Sequence, residues 1–116
     1  MGSPIRVLIA DDTAHVRRML RSMLELDGFE VVADVGTGAE ADVIVLDERM
    51  PDLDGIETAR RIRRLRPDQI VLLYTAFPHA ALEQEAAEAG ITAVLGKVDG
   101  LEALEREITR CCTTLL

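Results

Sequence analysis

Four apolar runs in this 116-residue chain each lead into a side chain suited to phosphoryl chemistry. Arg6-Val7-Leu8-Ile9-Ala10 leads into Asp11-Asp12, and Val43-Ile44-Val45-Leu46 into Asp47. Ile70-Val71-Leu72-Leu73-Tyr74 leads into Thr75, and Ile91-Thr92-Ala93-Val94-Leu95-Gly96 into Lys97. If these runs are parallel strands of one sheet, three carboxylates, a hydroxyl and an ammonium converge at its carboxyl edge, where open α/β sheets place their sites. Carboxylate oxygens suit a hard divalent cation, while hydroxyl and ammonium suit phosphate oxygens. A carboxylate beside such a cation can attack a phosphoryl group and carry it as an acyl phosphate, which makes Asp47 the centre of the site. Asp11 and Asp12 would hold the cation together with Asp47, since capping the following helix would use only one acid.

The elements that must position these residues follow from periodicity. Strand-like runs alternate with helix-like stretches, the pattern of a parallel sheet covered on both faces. Val16, Met19, Leu20, Met23 and Leu24 form the stripe of a first helix, stopped by Gly28. Phe29 to Val35 reads as the second strand and Asp42 to Asp47 as the third. Met50-Pro51-Asp52-Leu53-Asp54-Gly55 is a turn shaped by its proline and glycine. Asp54 and Glu57 make a capping-box-like pair for a helix ending near Pro67. Strand four is Ile70 to Thr75, followed by a helix from about His79 to Ala89, closed at Gly90. Strand five is Ile91 to Leu95, and Asp99 and Glu102 cap a last helix with stripe Leu101, Leu104, Ile108 and Cys111.

One join is abnormally short. Only Gly36 to Ala41 separate the second and third strands, whereas a parallel crossover ordinarily takes a dozen or more residues and a helix. Three readings account for it: a shortened chain, a missing stretch of sequence, or a dimer through the uncovered face. The missing stretch is favoured, because Ala39-Glu40-Ala41 looks like the opening of a helix that then vanishes.

Composition narrows the function further. The length fits one domain, residues 1–116 with its core at about 5–110. No apolar run approaches the ~20 residues of a membrane span. No leader is visible, so a cytoplasmic location is expected. The net charge of −8 argues against direct nucleic-acid contact by this domain. Lys97 is the only lysine beside twelve arginines, which suggests a place where a compact, mobile charge is wanted rather than a planar fork. The arginines at 60, 61, 63, 64 and 66 read as a solvated helix face paired with acids, and Arg17, Arg18 and Arg21 as a docking patch. His15 and His79 lack partners at metal-ligand spacing and read as surface groups. Cys111 and Cys112 are adjacent, which disfavours a disulfide, and read as a buried last helical turn.

The order and spacing carry the specificity. Asp11-Asp12, then Asp47 with Met50-Pro51 and Asp54-Gly55, then Thr75-Ala76, then Lys97, each after its own strand, strongly resembles the receiver domain of bacterial two-component response regulators. The absence of a proline after Lys97, in Lys97-Val98-Asp99, is similar to NarL-type receivers, which usually precede a DNA-binding helix-turn-helix domain that this sequence does not contain. The resemblance implies a doubly wound, flavodoxin-like α/β fold with five parallel strands in the order 2-1-3-4-5, here with the second helix shortened or missing. It implies Asp47 as phosphoacceptor and a sensor histidine kinase as donor. It implies Mg²⁺ held by Asp12 and Asp47 side chains, the Arg49 carbonyl and, through water, Asp11. Thr75 and Lys97 would take the phosphoryl oxygens. The chain would catalyse its own phosphorylation and dephosphorylation, with no external substrate. The face of the fourth helix, fifth strand and fifth helix would rearrange to control transcription or a partner, and a homodimer is reasonable.

Two departures stand out. The aromatic that receivers usually carry three residues before the lysine is Val94 here, so coupling to the output face cannot run through it. Arg49 and Phe77 occupy positions that in this family tune hydrolysis of the aspartyl phosphate, and a long and a bulky side chain there predict slow loss. A phosphorylation-independent pseudo-receiver is the competing reading. A dehalogenase-like phosphatase would want Asp-x-Asp after the first strand, and no P-loop is present.

Overall fold

The computed structural model describes residues 4–10, 14–32, 41–47, 49–50 and 53–113. Arg6–Ala10 (β1), Ala14–Leu26 (α1), Glu30–Val32 (β2) and Val43–Asp47 (β3) come first. A two-stranded ladder follows, Arg49–Met50 (β4) with Leu53–Asp54 (β5), and leads into Gly55–Leu65 (α2). Ile70–Thr75 (β6), Ala80–Glu88 (α3), Ala93–Gly96 (β7), a 3₁₀ turn over Lys97–Asp99 and Leu101–Thr113 (α4) complete the order. The main sheet runs β2-β1-β3-β6-β7, every pair parallel. This is the expected second-first-third-fourth-fifth order of a flavodoxin-like fold.

Apolar alternation explains the two layers. Odd residues of β1 and β3 (Val7, Val43, Val45) and even ones of β6 (Leu72, Tyr74) pack with Leu20 and Leu24 of α1 and Leu104, Ile108 and Cys111 of α4. The other face, with Leu8, Ile44, Leu46, Val71 and Leu73, packs against α2 and α3 through Ile56, Ala59, Leu82 and Ala86. Strands buried on both sides must be apolar at every position, and Val43 to Leu46 are buried without a break.

The helices differ from expectation in detail. In α1 the buried residues are Leu20 and Leu24, with Val16 half-buried, an i, i+4, i+8 line, while Met19 and Met23 are 48% and 44% exposed. The contact is therefore narrower than the predicted stripe. Asp99 lies in the 3₁₀ turn rather than capping α4, because Gly100, at φ 87°, separates it from Leu101. The segment predicted as a plain turn forms the β4–β5 ladder, with Arg49 opposite Asp54. His79 is exposed, as read, and is in addition the N-cap of α3: its Nδ1 accepts the Leu82 N–H at 3.2 Å. The arginine-rich face of α2 is exposed as predicted, with Arg60 and Arg61 each 3.8 Å from Glu57. Cys111 is buried and both cysteines are free thiols.

No helix among the described residues lies between β2 and β3, and most of that link, 33–40, is outside them. The chain re-enters the sheet firmly: the Asp42 N–H donates to the Arg6 carbonyl, and the Arg6 N–H donates to Asp42 Oδ2, both at 2.8 Å. Beside it a groove of ≈ 300 Å³ runs between the sheet and α2, lined by Leu8, Ile44, Leu46, Ile62, Leu65 and Arg66 among others. On its floor Leu8, Ile44 and Leu46 are each less than a tenth exposed.

Where the α1–β2 turn meets α4, Glu105 faces Asp27. Burial pushes the Glu105 carboxyl up to about 7, and Asp27 and Glu102 add to the shift. An unfolded glutamate ionises near 4.5, so between that pH and about 7 the folded state holds a proton that the unfolded state has lost. Stability from this group is present below pH 4.5 and declines as pH rises through about 7. Thermal melts should therefore fall more steeply from pH 5 to pH 8 in the wild type than in Glu105→Gln; identical slopes would contradict this. His79→Ala should cost about 1 kcal/mol in urea unfolding through loss of the cap, whereas His79→Asn should restore it.

Candidate functional site

Because all five strands of the main sheet are parallel, their carboxyl ends share one edge. Asp47 ends β3, Thr75 ends β6, and Lys97 follows Gly96 at the end of β7. The register brings them level: Asp47 pairs with Tyr74, and Thr75 with Gly96. The Lys97 ammonium stands 3.6 Å from Asp47 Oδ2, with the lysine side chain 32% exposed and the aspartate 13%. The three residues that sequence assigned to phosphoryl chemistry thus lie at one edge, with opposite charges in contact.

The loop chemistry is tightly fitted. Thr75 is buried, and its Oγ1 accepts the Phe77 N–H at 3.2 Å, which folds the chain over the end of β6. A Cβ added at Gly96 would meet Asp99 Oδ2 at 2.9 Å and Pro78 Cγ at 3.2 Å, so glycine lets the end of β7 pass against the β6–α3 loop. Phe77 is 68% exposed on that loop.

The expected metal ligands divide between described and other residues. Ala10 pairs with Leu46, so the described part of β1 ends one residue before the level of Asp47. Asp11 and Asp12 come next and lie outside the described residues. Arg49 begins β4, two residues after Asp47. Among the described residues no group of three or more His, Cys, Asp or Glu is arranged for a metal, so Asp47 is the described carboxylate of this set. Its oxygens and a backbone carbonyl form an oxygen-only donor set, the kind that a hard cation takes.

Tyr74 was not singled out by sequence, yet its ring lies under Lys97, with Nζ 5.8 Å from the ring centroid. Burial raises its phenol above the ordinary tyrosine range, with Asp99 adding to the shift. The available signal was its position: the residue before Thr75 must face the opposite side of the sheet. Val94, at the expected aromatic position, is half-buried against the α2–α3 side.

Known proteins share this sequence pattern and fold. The model of the response regulator receiver domain matches residues 7–109. Transcriptional regulatory protein PdtaR of Mycobacterium tuberculosis is 38% identical over 120 aligned positions, covering 92% of this chain and 58% of that protein. Those positions exceed the chain's 116 residues, so the relative carries residues with no counterpart here. Chemotaxis protein CheY4 of Vibrio cholerae superposes with a TM-score of 0.84 at 26% identity, covering 92% of this chain and 98% of that one. A LuxR-family two-component response regulator from Aurantimonas sp. SI85-9A1 gives 0.77 at 28%, covering 92% and 86%. Sequence and strand order agree over nearly the whole chain, and the chain belongs to the response regulator receiver domain family.

Proposed function

We propose that this chain is the phosphoacceptor module of a two-component system and takes a phosphoryl group on Asp47 from a sensor histidine kinase. The observation that carries this reading is the Lys97 ammonium 3.6 Å from the Asp47 carboxylate, at the carboxyl edge of the sheet. An Asp47 oxygen attacks the phosphorus of the phosphohistidine; the new P–O bond forms as the P–N bond breaks, and the imidazole leaves with the electron pair. Lys97 offsets charge on the phosphoryl oxygens, and Thr75 donates its hydroxyl hydrogen to one of them. Mg²⁺ fits the oxygen donors and would be held by Asp12, Asp47 and the Arg49 carbonyl, with Asp11 through water. When bound, it supplies further neutralisation of the incoming phosphoryl charge.

The chain gains and loses its own phosphoryl group and turns over no external substrate. Acyl phosphate formation adds about two negative charges, which bias two packings of the fold. The responsive face is α3, β7 and α4, the family's fourth helix, fifth strand and fifth helix once its second helix, which none of the described residues form, is counted. A NarL-type role in transcription control, in the cytoplasm, is supported by the PdtaR and LuxR-family similarities and by Lys97-Val98-Asp99 without proline. No helix among the described residues is long and apolar enough to cross a membrane. Val94 in place of the aromatic favours a second reading, a pseudo-receiver working without phosphate.

Intact mass after treatment with acetyl phosphate and Mg²⁺ should show one added phosphoryl group, absent in Asp47→Asn. A folded, Mg²⁺-binding wild type that gains none from acetyl phosphate or from a kinase would establish the pseudo-receiver. Once formed, the phosphoprotein should persist for many minutes, shielded by Phe77 and Arg49, and Phe77→Ala should shorten its life. Loss within seconds in the wild type would overturn the shielding.

A further inference from the structure

Lys97 and Tyr74 are the chain's only lysine and only tyrosine, and they lie against each other. The 5.8 Å separation of Nζ from the ring centroid is within the ~6 Å reach of cation–π attraction. The same ammonium is 3.6 Å from Asp47 Oδ2, so the ring and the carboxylate both lie within reach of it. A lysine has a flexible stem and rotatable donors. The ring, by contrast, is 7% exposed and belongs to the cluster with Leu104 and Ile108 of α4 and Leu20 of α1. Tyr74 also pairs in register with Asp47 on one side and Leu95 on the other, between the strand carrying the carboxylate and the strand leading to the lysine.

We propose that Tyr74 is the positioning residue of Lys97: its fixed ring holds the ammonium beside Asp47 before any phosphoryl group arrives. The proposal rests on the reading of Asp47 as acceptor. It also relocates the aromatic of the site. Tyr74 packs on the α1–α4 side, whereas Val94, at the family's usual aromatic position, packs on the α2–α3 side. Adjacent residues of β6 then serve the site from both faces of the sheet, Thr75 by its hydroxyl and Tyr74 by its ring.

The single lysine makes the test direct. In ¹³C-lysine-labelled protein the one Cε resonance should be displaced upfield by the ring current, stay displaced in Tyr74→Phe and return to the free-lysine position in Tyr74→Leu. With acetyl phosphate and Mg²⁺, Tyr74→Phe should be phosphorylated at nearly the wild-type rate and Tyr74→Leu about five-fold more slowly. Ile108→Val, in the same cluster, should change neither readout, which separates positioning from loss of packing. A wild-type resonance at the free-lysine position would overturn the proposal without any variant. So would a folded Tyr74→Leu that keeps the wild-type rate. If the resonances behave as stated but no protein accepts phosphate from acetyl phosphate or a kinase, the contact stands and the acceptor reading falls.

Discussion

A parallel sheet covered by helices on both faces confines polar chemistry to its ends. Any side chain along the middle of β3 or β6 meets a buried layer on one side or the other, and a charge there would lack both water and a partner. The strand interiors are accordingly valine, isoleucine and leucine, and the first residues free of that demand are those at the carboxyl edge. Asp47 and Lys97 are in that position, and Thr75, still buried, ends its strand with a hydroxyl that is hydrogen-bonded to the Phe77 N–H. The edge is a consequence of the burial, and the register of β3, β6 and β7 determines which of its residues can meet.

The electrostatics of this edge run against those of the whole chain. In a protein of net charge −8, a carboxylate would ordinarily face a surrounding negative potential. Lys97 supplies a local counter-charge, and the part-exposed geometry keeps the pair from being sequestered: an incoming anion can share the ammonium without breaking a deeply buried ion pair. The arginines of α2 do not serve this purpose. Arg60 and Arg61 are occupied with Glu57, and a Cβ at Gly90 would collide with the Arg63 side chain, which shows how closely that arginine covers the α3–β7 turn.

The strand order came with the family resemblance, whereas the placing of Asp47, Thr75 and Lys97 at strand ends was legible from short-range pattern. An apolar run ending in a functional residue states where a buried strand stops, and the parallel pairing of the strands makes the stops coincide. Tyr74 was missed because it reads as one more apolar residue of its run; its contact with Lys97 depends on the register of three strands, which no local pattern encodes. The exposure of Met19 and Met23 was missed for a related reason. Their spacing matches a helix stripe, but the width of the stripe that is covered depends on how α1 lies on β1 and β2. The β4–β5 ladder lies below the length at which alternation can be recognised, and Gly100 displaced Asp99 from the cap through a backbone conformation that the acidic pattern does not report.

The brevity of the link between Val32 and Val43 also bears on how the domain assembles. Ten residues separate strands that in a parallel crossover are ordinarily further apart in sequence. β2, β1 and β3 are neighbours in the sheet and are all contained in the first 47 residues. Closing a shorter loop costs less chain entropy, and contacts of low sequence separation favour fast folding. The small sequence separation of β2, β1 and β3 therefore makes three strands available for pairing early in synthesis, before any residue of β6 has left the ribosome.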